Sequence, residues 1–187
     1  MSEQINLINP RKALNKAFLK VKPNRSDIEI FKSHLITLLD HTNDTESEEF
    51  HKNLISDFLK DTYYKQHHFI NTKGRNDLVI HTGQQADSTV GVIIEAKKPT
   101  NKTDMIKPLG KNDAFTDKRS KLNVKAFQEL ILYYLRERIT LKNHDIKHLI
   151  VIRFSYRKGL IGCPIDIRHM CLIKCMKVIL AFAGAVF

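Results

Sequence analysis

Hydrophobic residues recur along the chain with two different spacings, and these spacings predict the order of helices and strands. In residues 46–64 the apolar positions return at helical spacing, which predicts a first helix. Residues 68–70 and 77–81 are rich in β-forming side chains and predict two strands. The almost continuous apolar run in residues 89–96 predicts a third strand, buried on both faces of the sheet.

The pattern then changes back to a helix and ends on one more strand. Residues 100–121 are polar and predict a surface loop, while apolar positions in residues 124–139 again recur at helical spacing. Residues 148–152 predict a last strand, parallel to a neighbour because a helical crossover precedes it. The predicted order is α-β-β-β-α-β, an α/β fold with a mixed central sheet flanked by helices.

The composition changes after residue 152. Only one of the 20 acidic residues, Asp166, lies in residues 153–187, which also contain all three cysteines and end on an apolar run. We therefore divide the chain into a domain at residues 1–152 and an atypical C-terminal tail at residues 153–187. Two explanations of the tail remain open: a terminal helix or strand that docks on the core, or the product of a truncation or frame change.

Basic residues outnumber acidic ones by 31 to 20, which gives a formal net charge of +11. This charge favours a polyanionic partner such as nucleic acid, although a basic surface that only maintains solubility is the alternative. The first residues lack the pattern of a signal peptide, and the C-terminal apolar run is shorter than the roughly 20 residues that cross a bilayer. We expect a cytoplasmic protein without a membrane segment.

Charged residues stand at the ends of two strands that a hairpin would place side by side. Asp77 begins the second predicted strand, and Glu95 and Lys97 end the third. Side chains two residues apart in a strand share a face, so these three groups are expected at one end of the sheet. Two carboxylates suit Mg²⁺, and a lysine beside them could hold the attacking water or help take its proton. An ordinary salt bridge at a strand end is the alternative.

These residues carry a resemblance to a known family. Gly-Arg-Asn-Asp-Leu at residues 74–78 and Ile-Glu-Ala-Lys-Lys-Pro at residues 94–99 resemble the PD-(D/E)XK nuclease superfamily, with Asn76 in place of the proline of the motif. Residues 46–54, 71–75 and 130–138 resemble more specifically the nuclease region of type IIG restriction enzymes, which join cleavage to an adenine methyltransferase. The resemblance covers about residues 1–152. It implies a Mg²⁺-dependent endonuclease that hydrolyses phosphodiester bonds of double-stranded DNA.

The resemblance also implies roles for the residues of the motif. Asp77, Glu95 and the backbone carbonyl of Ala96 would bind the metal ion. Lys97 would act on the attacking water. These residues form the expected catalytic centre of a restriction-endonuclease-like core.

Two further residues are tentative members of this centre. Glu48 could supply another metal ligand, or it could form a capping box with Thr45 at the start of the first helix. Gln128 is a tentative catalytic residue on the second helix. However, Tyr133 lies one residue too far from Gln128 for the Gln-x-x-x-Tyr pattern of some relatives.

Residues 153–187 are too few to form a methyltransferase. The favoured interpretation is therefore the endonuclease module of a restriction-modification enzyme without its methyltransferase part. A methyltransferase or specificity domain encoded downstream would be its partner, and an isolated fragment could be inactive. The alternatives are a catalytically silent remnant that binds nucleic acid and a repair or recombination nuclease on the same core.

Overall fold

The computed structural model describes residues 20, 22, 24–73, 76–106, 120–153 and 179–182, and for residues 76, 77 and 179–182 it describes the backbone alone. Within these ranges, helices α2 and α3 each continue into one π-helical turn, at Lys60–Tyr64 and Arg136–Thr140. In chain order the helices and strands are α1 (Arg25–His41), α2 (Glu48–Leu59), β1 (Ile70–Lys73), β2 (Asn76–His81), β3 (Val90–Lys97), α3 (Lys125–Leu135), β4 (His148–Arg153) and β5 (Ile179–Phe182).

The strands form a mixed sheet with the order β1-β2-β3-β4-β5. The pairs β1–β2 and β2–β3 are antiparallel, and β3 runs parallel to β4. The predicted α/β class with a mixed sheet and flanking helices is confirmed, and α2 to β4 follow the predicted order of elements. Helix α1 precedes them and was not predicted.

Alternating side chains of the strands build two hydrophobic cores, one on each face of the sheet. On one face, strand residues such as Leu78, Ile94 and Ile152 pack with Leu38 of α1 and Ile55 of α2. On the opposite face, the core combines strand and α3 residues, namely Val79, Ile93, Leu149, Val151, Ala126 and Leu130. The predicted burial of the third strand on both faces is therefore confirmed, and the fold has three layers.

Helix α2 begins with a side-chain cap that differs from the predicted one. The Ser47 hydroxyl accepts a hydrogen bond from the Phe50 amide at 3.1 Å, whereas the Thr45 hydroxyl donates to Asn43 Oδ1 at 2.9 Å. Ser47 rather than Thr45 is therefore the cap, because the helix starts two residues later than the capping box requires. This start makes Glu48 the first residue of α2 and leaves its carboxylate available for contacts outside the helix.

Part of the atypical tail belongs to the sheet. Strand β5 pairs antiparallel with β4, with Leu180 opposite Ile150 and Ile179 opposite Val151. The other residues of the segment 154–187 lie outside the described residues, as do the masked parts of the loop predicted at residues 100–121. No helix within the described ranges is long and apolar enough to cross a membrane.

Candidate active site

The Lys97 ammonium lies among three carboxylates at the end of β3. Its Nζ atom is 2.6 Å from Glu95 Oε1, 2.9 Å from Glu129 Oε2 and 3.4 Å from Glu48 Oε1. The Lys97 side chain is only 5% exposed and that of Glu95 only 1%. These four residues, Glu48, Glu95, Lys97 and Glu129, are called the lysine–carboxylate cluster below.

Each member of the lysine–carboxylate cluster is placed by the local fold. Glu95 and Lys97 follow Ile93 at intervals of two along β3, so they share the sheet face that α3 covers. Glu129 lies in the second turn of α3, next to the buried residue Leu130. Glu48 comes from the first turn of α2, and its Oε2 also accepts a hydrogen bond from the Lys98 amide at 3.3 Å. Three separate elements therefore converge on one ammonium group.

The surroundings of Lys97 keep its side chain charged. Burial by itself favours the neutral amine, but hydrogen bonds to Glu129 and Glu95 and the charges of Glu95 and Glu48 outweigh it and raise the pKa of Lys97 above its usual range. An ammonium group has no lone pair with which to accept a proton. In this arrangement Lys97 is suited to donate hydrogen bonds and to stabilise negative charge, and not to act as a general base.

Glu129 is held in its charged form by the same contacts. Burial favours the protonated acid, but hydrogen bonds donated by the Lys97 ammonium and by a proton on Glu95, together with the charges of Lys97 and Lys125, lower the pKa of Glu129. The Lys125 ammonium is 3.8 Å from Glu129 Oε1, one helical turn away on α3. The lysine–carboxylate cluster thus has three carboxyl groups for one ammonium, an excess that either a proton or an additional cation can balance.

The lowered pKa of Glu129 makes its contribution to stability dependent on pH. The carboxylate stabilises the folded state above its unfolded pKa of about 4.3, and that contribution is lost as the pH falls through the lower folded-state pKa. We expect Glu129→Gln to reduce the free energy of unfolding at neutral pH, and the difference from the parent to shrink on acidification. Urea unfolding over a pH series measures this, with Glu46→Gln as the control for loss of an exposed carboxylate. A difference that grows on acidification would contradict the expectation.

The backbone of Asp77 lies beside the lysine–carboxylate cluster. Leu78 in β2 pairs with Ile94 in β3, so the next position of the antiparallel register sets Asp77 across from Glu95. The side chain of Asp77 lies outside the described residues. Ala96, whose carbonyl the resemblance assigns to the metal, lies between Glu95 and Lys97 and is 1% exposed. The structure thus brings the backbone of the predicted centre to one end of the sheet.

The side chain of Gln128 does not join the lysine–carboxylate cluster. Its Nε2 donates a hydrogen bond to Asn123 Oδ1 at 2.7 Å on the exposed side of α3. The neighbouring residue, Glu129, contacts Lys97 instead, and it was not among the predicted site residues. A sequence signal for Glu129 existed, because it is the one acidic residue in an otherwise mostly apolar helix.

The donor atoms at this position suit a hard cation. Mg²⁺ prefers oxygen ligands, and Glu95, Glu129 and Glu48 offer carboxylates around a single ammonium. Among the described side chains, which do not include that of Asp77, no group of three His, Cys, Asp or Glu residues is arranged to hold a metal ion. The residues fit Mg²⁺ in donor chemistry, and Asp77 would have to complete the ligand set.

Fold and cluster together define an α/β protein with a mixed sheet and a buried lysine held by carboxylates at the end of a central strand. Residues 8–155 match the model of a family described as a domain of unknown function, DUF7149, and the chain belongs to this family. The matched range contains α1 to β4 and all four residues of the lysine–carboxylate cluster. No curated protein and no solved structure matches the chain.

Proposed function

We propose that this chain is a Mg²⁺-dependent DNA endonuclease module with a PD-(D/E)XK core, of the kind found in restriction-modification enzymes. The burial of the Lys97 ammonium among carboxylates from β3, α2 and α3 carries the proposal. Exposed ion pairs at strand ends are common and require no burial, whereas burying several charges together costs stability. Such an arrangement is therefore more typical of a functional site than of a structural contact.

The proposal assigns the metal ion to the acidic side of this site. Asp77, Glu95 and the carbonyl of Ala96 would hold Mg²⁺, which when bound supplies positive charge for the phosphoryl oxygens of the substrate and lowers the pKa of coordinated water. The excess of carboxylates over lysines in the lysine–carboxylate cluster supports a cation there. The backbone register of Asp77 beside Glu95 supports a shared ligand set.

Lys97 has a different role, as a charged hydrogen-bond donor. Its raised pKa keeps the ammonium protonated, so it would hold the attacking water or a phosphate oxygen in position and stabilise the charge that develops during attack. Glu129 and Glu48 contact Lys97 from two helices and act as positioning residues. They restrict the ammonium to one place at the end of β3.

Double-stranded DNA is the substrate that this proposal requires. The formal charge of +11 supports a polyanionic substrate, because lysine and arginine gain affinity by releasing phosphate counterions. A methyltransferase or specificity domain encoded downstream would be the protein partner. The cytoplasm, where such a restriction system meets DNA, is the proposed location.

A Mg²⁺ titration of thermal stability tests the metal site. Adjacent carboxylates repel each other without a cation, and a metal that binds only the folded state raises the melting temperature. We expect Mg²⁺ to raise the melting temperature of the parent but not of Asp77→Asn or Glu95→Gln. Without metal, the stability of Asp77→Asn should hold or improve, whereas Glu95→Gln should lose stability because it removes the carboxylate nearest the buried Lys97 ammonium.

Asp87→Asn is the matched control for this titration, because Asp87 is an exposed residue of the β2–β3 loop. It should respond to Mg²⁺ like the parent. Equal responses of the parent, Asp77→Asn and Glu95→Gln would contradict the metal assignment.

A further inference from the structure

A groove lined by basic, polar and apolar side chains lies between α2 and the edge strand β1. It has a cavity volume of about 550 Å³, within the size range of small-molecule and nucleotide sites. Its floor includes the buried apolar residues Ile70 and Leu78, and Ser56 and Lys60 line its α2 side. Strand β1 is at the edge of the sheet, so no other strand of the described residues borders the groove on that side.

The charge of the groove is positive. Lys60 and Lys65 line it, and none of its described lining residues carries a carboxylate. The nearest acidic residues of the same helical segment, Asp57 and Asp61, are exposed and are not part of the lining. The described lining therefore carries positive charge that no carboxylate in it neutralises, unlike the lysine–carboxylate cluster, and this favours an anionic ligand.

Amide and aromatic side chains complete the lining. Asn53, Asn71 and Gln84 present amide groups, which can pair with polar edges of a ligand. His68 and Phe69 present half-buried rings. The position of the His68 ring is fixed, because its Nδ1 donates to the carbonyl of His81 at 2.8 Å. Lysines that follow a groove together with aromatic rings are the features that bind single-stranded nucleic acid without sequence preference.

Helix α2 contributes residues both to the lysine–carboxylate cluster and to the groove. Glu48 at the start of α2 contacts Lys97, and Lys60 lies twelve residues further on, about 18 Å along a helix. Leu78, which lines the groove, directly follows Asp77 in β2. Leu78 belongs to the core on the α2 face, whereas Glu95 and Lys97 lie on the face that α3 covers, so a strand held in the groove would have to pass around the end of the sheet to reach the candidate active site.

We propose that this groove binds a single strand of nucleic acid, with Lys60 and Lys65 on its phosphates and the His68 and Phe69 rings against its bases. The inference goes beyond the proposed function, because the groove lies apart from the lysine–carboxylate cluster and takes a single strand rather than the duplex that would be cleaved. The binding itself depends only on the charge and rings of the groove.

The test measures binding of a labelled single-stranded oligothymidylate to the full chain in EDTA, where Mg²⁺-dependent cleavage is blocked. We expect Lys60→Ala combined with Lys65→Ala to weaken binding about tenfold at low salt and to reduce the salt dependence of log Kd by about 1.4, or about 0.7 for each lost phosphate contact. Lys60→Arg with Lys65→Arg should retain binding, because the charge remains.

The control is Lys142→Ala combined with Lys147→Ala, which removes the same charge at exposed positions outside the groove. Equal weakening by the two double variants would overturn the proposal. So would a Lys60→Ala and Lys65→Ala variant that loses binding of duplex DNA or of a free mononucleotide but binds the oligothymidylate like the parent. The readout is independent of cleavage. If the parent does not cleave plasmid but Lys60→Ala with Lys65→Ala still weakens oligothymidylate binding, the nuclease proposal is refuted and the groove proposal stands. If the parent cleaves plasmid but this variant binds the oligothymidylate like the parent, the groove proposal alone is refuted.

Discussion

Replacing Lys97 with methionine should cause the largest loss of stability of any single change at this site. Methionine keeps the apolar length of the side chain but leaves the Glu95 carboxylate, 1% exposed, facing Glu129 without a cation. Removing one partner from a buried ion pair costs about 3 to 5 kcal/mol. Because Glu48 and Glu129 are partly exposed, we expect Lys97→Met to lower the free energy of unfolding by about 3 kcal/mol.

Urea unfolding of the full chain at neutral pH measures this loss. The matched control is Lys125→Met, which removes an ammonium that is 64% exposed and 3.8 Å from the same Glu129, and which should change stability by at most about 0.5 kcal/mol. Adding Glu129→Gln to Lys97→Met should recover part of the loss, because it removes one of the uncompensated carboxylates. Similar losses for Lys97→Met and Lys125→Met would mean that Lys97 is not a buried cation.

The raised pKa of Lys97 sets the pH range of this effect. A lysine whose folded-state pKa is raised contributes stability that is fully present below its unfolded pKa of about 10.4, and that is lost as the pH rises through the folded-state value. The difference between parent and Lys97→Met should therefore persist across neutral and mildly alkaline pH.

DNA cleavage should be lost in a Lys97 variant that still folds and binds metal. We expect Lys97→Met combined with Glu129→Gln to retain the Mg²⁺ response, because Asp77 and Glu95 remain, while the cleavage rate falls by about 10²- to 10⁴-fold. A single-turnover cleavage assay below the melting temperature of the variant measures this.

Gln128→Ala is the control on the same helix as Glu129. Its side chain contacts Asn123 and not Lys97, so it should cleave like the parent. If the double variant cleaves as fast as the parent, the role proposed for Lys97 is wrong.

The sheet and one part of the site could be predicted from the sequence because both follow from the alternation of side chains. The apolar run before Glu95 indicated a central strand, and the spacing of Glu95 and Lys97 placed both on one face. The hairpin between β2 and β3 likewise predicted the position of Asp77, and the register places its backbone there. These inferences use only local geometry.

Glu129 and helix α1 could not be predicted in the same way. Glu129 reaches Lys97 only because of the angle at which α3 crosses β3. The spacing of residues in the sequence does not specify that angle. Gln128 was only a tentative choice, because Tyr133 lies one residue too far for the family pattern, and the structure places the Gln128 side chain on the exposed surface. In helix α1 the apolar and polar positions are poorly separated onto opposite faces, and most positions are exposed. The hydrophobic pattern therefore did not indicate this helix.

The most direct test of the nuclease proposal is nicking of a supercoiled plasmid by the full chain at low salt. The proposal predicts that the parent converts supercoiled plasmid to open-circular or linear DNA in Mg²⁺ and not in EDTA. It also predicts that Asp77→Asn and Glu95→Gln leave the plasmid supercoiled in Mg²⁺. A parent that binds the plasmid but leaves it supercoiled at every Mg²⁺ concentration would contradict the proposal and favour a catalytically silent DNA-binding remnant.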